Sequence, residues 1–383
     1  MNKKILLLSW CIPPAPTGSA TVVGNLAQQF TRDEMIVAGE KPYKAPPLTW
    51  NDNWPELVHV QSVWPFTGRG IRWWRMLQTP YVLWRCLRLV RRHNVESILV
   101  VFPDERFLLA AYLCARITRR KLFPYLHNTY LEQCHGWSKV FARWLQSRLF
   151  AYSDHVFVMS EGMSEFYRER YPNLRQTPLT HSFNGPIPTC AVPQSVGSPM
   201  KVAMCGNVNV SCDDAAARLG EAVASCPDTR LAIYSGTDRD HLRSIGLLRD
   251  GVECVTLPLE ELLPRLGEAD VVLLPHGFAG SWAPEEYRTI FPTKMIEYLL
   301  CGRPILAHSP PDCFLTRFLR KNDCALIVDR PDVGALHEAL ERLRTDYAMR
   351  RHLVENALET AKQFQAANVA AELRKWIEKE NSL

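Results

Sequence analysis

The sequence predicts an α/β protein built from two domains, each a parallel β-sheet covered by helices. The chain has 383 residues, which is more than one hydrophobic core ordinarily fills. Short apolar runs alternate with helical patterns in both halves, as expected for parallel sheets whose two faces are buried. A polar, proline-rich segment over residues 186–199 separates the halves and is typical of a linker.

The first half opens on a predicted buried strand, Lys4–Ser9, which a loop and a helix over Ala20–Phe30 follow. The start of the chain resembles a signal peptide, but its apolar stretch is short and leads directly into Cys11–Pro14, so we expect a strand. Further apolar runs predict strands at Glu96–Phe102, Lys121–Leu126 and His155–Ser160.

The second half repeats this pattern, with a strand at Lys201–Cys205 and a helix from about Asp213. Its other predicted strands are Leu231–Ser235, Val252–Leu257, Val271–Pro275, Pro304–His308 and Ala325–Val328. The segment 332–380 is predicted to be almost wholly helical. Sheets of this kind bind ligands at the carboxyl ends of their strands, so the active site is expected in a cleft between the domains.

Composition narrows the class of protein. Hydrophobic residues make up 47% and charged residues 22%, the balance of a globular enzyme rather than of a disordered chain. No apolar run reaches 18 residues, so no membrane-spanning helix is predicted. The twelve cysteines are scattered without a Cys-x-x-Cys pair, which favours reduced thiols in a cytoplasm and argues against zinc or a disulfide framework.

The most informative segment is Phe291–Ala307, which has the pattern of a loop, a helix, a helix stop and a strand. Pro292 suits a helix start, and Gly302 suits a left-handed residue after the helix. Thr293 and Glu297 are four apart and share one helix face. Helix-terminal amides can bind a phosphate, and Glu297 can accept hydrogen bonds from two vicinal sugar hydroxyls. Spacing alone equally allows a surface helix with a solvated glutamate.

This segment, Phe-Pro-Thr-Lys-x-x-Glu-Tyr-Leu-x-x-Gly-x-Pro-Ile, resembles the donor-site signature of GT-B glycosyltransferases, particularly glycosyltransferase family 4. Weaker similarities lie at Pro13-Pro14, Gly18-Ser19-Ala20, Ser153–Ser160, Gly267–Pro275 and Cys324–Val328. The resemblance implies a GT-B fold, in which two Rossmann-like domains face each other across a cleft. Residues 1–185 would bind the acceptor, with a last helix over about 366–383 crossing back onto them, and residues 186–365 would bind the nucleotide sugar.

The resemblance also assigns roles. Glu297 would hold the nucleotide ribose, Thr293 and Lys294 would lie at the diphosphate, and Gly206 would let the backbone approach the phosphates. His127, at the end of its strand, matches a cleft histidine that contacts the sugar, although a lone histidine there is more often structural. Further candidates are Asn207 and His276 on the donor side, and the loop residues Gly18 and Ser19 on the acceptor side.

The sequence departs from the family pattern at two places. Thr289 stands eight residues before Glu297, where the family has its first carboxylate, and the loop over 206–210 lacks the usual basic residues. Family 4 enzymes retain the anomeric configuration, with the leaving phosphate thought to take the acceptor's proton. An inverting enzyme would need a base, for which Asp104 and Glu105 are candidates, unless they only stabilise a helix N-terminus. We expect no cofactor and no required metal.

Charge is uneven along the chain. The overall +5 divides into +10 over residues 1–190 and −5 over the remainder, so the first half favours an anionic partner. The stretch 69–92 holds seven arginines and no acid, with aromatic residues interleaved. Such stretches lie in membrane interfaces, although a helix packed on the sheet with a solvated arginine edge is the alternative. The predicted membrane-facing residues are Arg72, Trp73, Trp74, Arg75, Arg85, Arg88 and Arg92. Nothing resembles a nucleic-acid-binding module.

Together these features predict a cytoplasmic glycosyltransferase at the inner membrane face, acting on a glycan or lipid-linked glycan in surface polysaccharide assembly. Two alternatives stay open. A degenerate GT-B binding or regulatory subunit would explain Thr289 and the uncharged loop, although Thr293, Lys294 and Glu297 argue against it. A nucleotide-sugar epimerase would need no acceptor, but it would not need the basic aromatic stretch either.

Overall fold

The structure is a computed structural model that describes residues 4–15, 17–41, 49–62 and 75–380. The chain divides into two compact units, one formed by Met1–Asn184 with Gln365–Leu383 and the other by Gly185–Phe364. Each unit contains one β-sheet whose pairings are all parallel among the described residues, with helices between the strands. The predicted α/β class with two Rossmann-like domains is therefore confirmed.

The first unit has seven strands in the order β3-β2-β1-β4-β5-β6-β7. They are β1 (Lys4–Ser9), β2 (Met35–Lys41), β3 (Glu56–Ser62), β4 (Val95–Phe102), β5 (Lys121–Leu126), β6 (Val156–Val158) and β7 (Gln176–Pro178). The helices are α1 (Gly18–Ala27), α2 (Thr79–Arg92), α3 (Glu105–Thr118), α4 (Gly136–Tyr152) and α5 (Glu161–Arg170). A 3-10 turn spans Leu131–Gln133.

Three strands of this sheet were not predicted. β2 contains Gly39, a residue that usually weakens a strand, yet a side chain there would lie 2.3 Å from the carbonyl oxygen of Ser9. The glycine is therefore required by the close approach of β1. β3 lies at the edge of the sheet and is only partly buried, and β7 is three residues long and ends in a proline. Short or half-exposed strands carry a weak apolar pattern.

The second unit has six strands in the order β10-β9-β8-β11-β12-β13. They are β8 (Met200–Cys205), β9 (Thr229–Tyr234), β10 (Glu253–Val255), β11 (Val271–Pro275), β12 (Ile305–His308) and β13 (Leu326–Val328). The helices are α6 (Asp213–Ser225), α7 (Arg239–Ser244), α8 (Leu259–Leu266), α9 (Pro284–Thr289), α10 (Met295–Leu300), α11 (Phe314–Asn322), α12 (Val333–Thr345) and α13 (Tyr347–Ala361).

The helical tail is divided into α12, α13 and a last helix, α14 (Ala366–Glu380), with a 3-10 turn at Lys362–Phe364. α14 packs on the first unit, where the Arg374 guanidinium lies 4.1 Å from the Phe30 ring and pairs with Glu34 at 3.2 Å. The Trp376 ring stacks on His155 at a centroid distance of 4.1 Å. These contacts join the end of the chain to its first half.

The strand orders point to the ligand-binding edge of each sheet. The order reverses between β1 and β4 in the first unit, and between β8 and β11 in the second. In open parallel sheets, ligands bind at the carboxyl ends of the strands beside such a reversal. Several of the predicted residues follow these strands: Asp104, Gly206 and His276 lie directly after a strand, and Ser19 lies in the first turn of α1.

Candidate active site

The donor-type segment folds as predicted, with α10 as its helix and Gly302 at a positive φ of +67° just after the end of the helix. The helix is anchored by Tyr298, whose hydroxyl donates to the Leu273 carbonyl oxygen at 2.6 Å. The same hydroxyl accepts the backbone N–H of Cys205 at 3.0 Å. Tyr298 therefore ties α10 to β11 and β8 and fixes the position of Glu297 one residue earlier. We did not assign this role from the sequence, although the tyrosine is part of the motif.

Two ionisable groups of this segment are enclosed without protein partners. The Nζ atom of Lys294 and the Oε2 atom of Glu297 are shielded from solvent, and neither has a hydrogen-bond partner in the described residues. Burial raises the pKa of Glu297 to about 7, although a hydrogen bond from its own backbone N–H opposes the rise. Thr293 precedes them and is half-buried. Because unpaired buried polar groups are costly, these two atoms indicate a polar ligand.

Gly206 lies directly against this lysine. It has a φ of +81°, and a Cβ there would lie 3.1 Å from Cδ of Lys294. The loop is held by Thr237, whose hydroxyl accepts the Val208 N–H at 2.9 Å and donates to the Val208 carbonyl oxygen at 3.1 Å. Asn207 between them is exposed. Gly206 therefore packs against Lys294, and Thr237, which sequence reasoning missed, holds the loop. The approach of the Gly206 backbone to the phosphates stays a prediction.

In the first unit the structure joins two predicted residues that are 108 positions apart. The Ser19 hydroxyl lies 3.2 Å from Nδ1 of His127, beside Gly18 at the start of α1. Burial, reinforced by the nearby His181, holds the pKa of His127 well below its usual range. Its Nε2 atom is enclosed without a partner among the described residues. His127 is therefore a neutral imidazole with one nitrogen available to a ligand.

Asp104 lies at the N-terminus of α3, as expected if it stabilises a helix N-terminus rather than acting as a base. Its side chain caps α3 by accepting the Arg106 backbone N–H at 2.9 Å. Its carboxylate also pairs with the Arg106 guanidinium at 2.8 Å and with Arg75 at 3.1 Å, and Arg106 and Arg75 both pair with the buried Glu40. The Asp104 carboxylate is therefore engaged by two guanidinium groups and one backbone N–H, an arrangement that suits a structural role. Glu105 lies in the first turn of the same helix.

The comparisons with known proteins agree with this fold. Residues 16–185 match the sequence profile of glycosyltransferase family 4. The chain is similar to the sucrose-phosphate synthase of Thermosynechococcus elongatus, with a TM-score of 0.73, 15% identity, and coverage of 99% of this chain and 100% of the other. No curated protein matches the chain by sequence at a significant level.

Two further solved structures are similar over nearly their whole length. HepE of Anabaena, solved with UDP and glucose, has a TM-score of 0.68 and 14% identity, with coverage of 98% and 100%. The lipopolysaccharide outer core galactosyltransferase WaaB has a TM-score of 0.64 and 12% identity, with coverage of 98% and 99%. Residues 16–185 thus match a glycosyltransferase family, and the chain as a whole has the GT-B fold of these structures.

Two residues predicted on the donor side, His276 and Thr289, are buried in the second unit. The buried His276 ring donates from Nε2 to the Tyr287 carbonyl oxygen at 2.8 Å. The ring also hydrogen-bonds Cys313 and helps to lower the pKa of that thiol to about 7. The Thr289 hydroxyl donates to the Glu285 carbonyl oxygen at 2.8 Å, within α9. Both side chains thus have partners within the second unit, and their donor-side roles stay predictions.

One Asp-x-Asp sequence, a common metal-binding pattern in glycosyltransferases, occurs at Asp238–Asp240. Asp238 caps α7 by accepting the Asp240 backbone N–H at 3.5 Å, and Asp240 pairs with Arg243 at 2.7 Å. Both carboxylates thus have local structural partners.

The structure places the predicted membrane-facing residues in different environments. Arg72, Trp73 and Trp74 lie outside the described residues. Arg75 does not belong to the set, because its guanidinium turns inward to Glu40 and Asp104. Arg85 is half-buried and donates to the His59 carbonyl oxygen at 3.0 Å and to the Tyr81 hydroxyl at 3.2 Å. Arg88 and Arg92 are exposed as predicted.

An exposed basic aromatic face nevertheless runs along α2, formed by Tyr81, Trp84, Arg88, Arg91 and Arg92. The Arg88 guanidinium lies 4.9 Å from the Trp84 ring. A second face on α4 is more apolar and consists of Trp137, Val140 and Trp144, which are 83%, 59% and 45% exposed. Neither helix contains an acidic residue. In the described part of the chain, no helix is both long and apolar enough to cross a bilayer.

Substituting Gly206 by alanine should destabilise the protein by about 1–2 kcal/mol, because a left-handed backbone is costly for any residue with a Cβ. Nucleotide affinity should also fall, since the new methyl group displaces Lys294. Denaturant unfolding and calorimetry measure the two effects. Gly251→Ala is the matched control: Gly251 has a φ of +82° and no atom within 4 Å of its Cβ position. Gly251→Ala should lose stability but keep its nucleotide affinity. An equal loss of nucleotide affinity in both variants would contradict the role of Gly206.

Proposed function

We propose that this glycosyltransferase moves a hexosyl group from a nucleotide-diphosphate sugar to a glycan or lipid-linked glycan, with retention of configuration. The observation that carries the proposal is the pair of enclosed, unpartnered atoms on one helix turn, Lys294 Nζ and Glu297 Oε2, beside Gly206. A cation suits a diphosphate, and a carboxylate suits the paired hydroxyls of a ribose.

The roles proposed for these residues follow from the charge that develops on the diphosphate during sugar transfer. Negative charge grows on the diphosphate as the sugar leaves, so a cation held there lowers the barrier most. Lys294 supplies that cation, and the N-terminal amides of the α10 segment add to it. His127 stays neutral and offers a hydrogen bond from Nε2 to a sugar hydroxyl. In a retaining reaction the leaving phosphate takes the acceptor's proton, so Asp104 and Glu105 keep their helix-terminal role.

Two structurally similar proteins support the proposed classes of substrate. HepE is solved with UDP and glucose, and WaaB is described as acting on the lipopolysaccharide outer core. A lipid-linked acceptor also fits the exposed faces of α2 and α4. We therefore propose that the enzyme works at the inner membrane face in surface polysaccharide biosynthesis.

The decisive experiment is a calorimetric titration of the protein with UDP, GDP, ADP, TDP and CMP, with and without chelator. Tight, chelator-independent binding of one diphosphate is expected, and it would name the donor nucleotide. Binding that disappears with chelator would overturn the metal-free donor site. If folded protein binds none of them, the proposal fails in favour of a non-catalytic subunit.

Changing His127 should separate transfer from nucleotide binding. His127→Asn is expected to lower the rate of sugar release from the matching nucleotide sugar about fivefold, since a neutral hydrogen bond is worth about 1 kcal/mol. Diphosphate affinity should be unchanged, because Lys294 and Glu297 are untouched. His59→Asn, at an exposed histidine of the same unit, is the control and should leave both quantities unchanged. A weaker diphosphate affinity in His127→Asn alone would contradict the assignment to the sugar.

A further inference from the structure

Three side chains with metal-binding atoms converge in the second unit, on residues that the proposed donor site does not use. They are Cys226, His337 and Glu341, whose sulfur, nitrogen and oxygen atoms all lie within 4.8 Å of one another. Cys226 directly follows α6. His337 and Glu341 are four residues apart on α12 and therefore share one face of that helix. The cluster thus lies where the end of one helix meets the side of another.

The spacing of the first two ligands suits zinc. Sγ of Cys226 lies 3.5 Å from Nδ1 of His337. Zinc bonds of about 2.3 Å to sulfur and about 2.0–2.1 Å to nitrogen, at a tetrahedral angle, place the two ligand atoms about 3.5 Å apart. The two side chains therefore need little movement to bind one ion. Sulfur and imidazole together also favour zinc over magnesium or calcium.

The surroundings leave room for the third ligand. One oxygen of Glu341, Oε1, accepts a hydrogen bond from Nε of Arg344 at 3.2 Å, so its second oxygen is the one to bind metal. Arg344 is itself held by the Pro227 carbonyl oxygen and by Thr229. Cys226 is buried, whereas His337 and Glu341 are half-buried and so partly exposed to solvent.

We propose that Cys226, His337 and Glu341 bind one Zn²⁺ ion, with a water molecule as fourth ligand, and so join α6 to α12. The role is structural and independent of sugar transfer. Cysteine spacing argued against zinc because that pattern detects only ligands close in sequence, whereas 111 positions separate Cys226 from His337. Binding releases the thiol proton of Cys226 to solvent. Because that proton is released, zinc should bind more tightly as pH rises.

Cobalt provides a direct test, because it takes zinc sites and reports thiolate ligands by a charge-transfer band in the near ultraviolet. The full chain is stripped with chelator and titrated with Co²⁺. We expect a band that saturates at one equivalent and disappears when Zn²⁺ is added. Cys226→Ser should abolish the band, and His337→Ala should weaken cobalt binding by about tenfold or more. Cys254→Ser is the control at a half-buried cysteine of the same unit and should retain the band.

Thermal unfolding supplies the second measurement. One equivalent of Zn²⁺ should raise the melting temperature of the native chain, since an ion that binds only the folded state stabilises it. The same addition should leave Cys226→Ser unchanged. The proposal is overturned if folded protein gives no band, or if Cys226→Ser keeps both the band and the stabilisation.

Discussion

Glu297→Gln is expected to weaken binding of the matching nucleoside diphosphate by about 2 kcal/mol, a loss of about 30-fold in affinity. The carboxylate can accept hydrogen bonds from both ribose hydroxyls, whereas the amide offers a single acceptor atom and turns two donors toward the ligand. Calorimetry at pH 8, where the carboxyl is ionised, measures the loss. Glu260→Gln, at an exposed glutamate of the same unit, is the control and should bind normally.

The same substitution should stabilise the ligand-free protein at alkaline pH. Burial raises the folded pKa of Glu297 from 4.5 to about 7, so between these values the folded state holds a proton that the unfolded state has lost. Stability contributed by the protonated form is therefore lost as pH rises from about 4.5 to 7. Glutamine stays neutral and avoids this loss, which is at most about 3 kcal/mol.

The melting temperatures of Glu297→Gln and native protein should thus be close at pH 4.5, with the variant higher at pH 8. A variant that melts lower at pH 8, yet binds the diphosphate normally, would show that Glu297 serves the fold rather than the ligand. If Glu297→Gln binds the diphosphate more weakly and is more stable than the native protein, then Glu297 is kept for binding at a cost in stability.

The second large effect concerns the exposed face of α2. Replacing Arg88, Arg91 and Arg92 together by glutamine should weaken binding to vesicles of phosphatidylglycerol and phosphatidylcholine by about 3 kcal/mol, or about 100-fold. Each basic residue near an anionic surface contributes about 1 kcal/mol, and the attraction fades with salt. Arg85 is left in place because its bonds to His59 and Tyr81 belong to the packing of the helix.

Vesicle co-sedimentation at low and high salt measures this effect. The control replaces Arg330, Arg342 and Arg351, three exposed arginines of the second unit, and removes the same charge. It should bind vesicles almost as the native protein does. Equal losses in both triple variants would mean that net charge, and no particular face, drives the association.

A separate variant isolates the apolar part of the interaction. Trp137→Ala with Trp144→Ala should weaken vesicle binding at high salt, where the arginine contribution is screened. Both rings stand on the exposed side of α4, so their loss should leave the melting temperature nearly unchanged. Diphosphate binding should be normal in every one of these variants, since none touches Lys294 or Glu297.

The sequence predicted most of the fold because parallel strands that are covered on both faces are continuous apolar runs. β4, β5, β8 and β11 were placed within one residue of their ends for this reason. The edge strand β3 and the short strand β7 escaped because half-exposure or brevity weakens that pattern. The end of α10 followed from Gly302, whose backbone preference is a local property. Its start did not follow from Pro292, because the helix begins at Met295 and Thr293 lies in the turn before it.

What the sequence by itself determined, then, is the class of each local segment and the residue types available for chemistry. Only the tertiary structure decided which of them meet: Ser19 with His127, Lys294 with Gly206, and Arg75 with Glu40 rather than with a surface. The physical reason is that periodicity reports whether a residue is buried, whereas its partner depends on which strands are neighbours. In this chain those neighbours are set by crossovers such as the one from β10 to β11, which places β11 beside β8 and which local patterns do not encode.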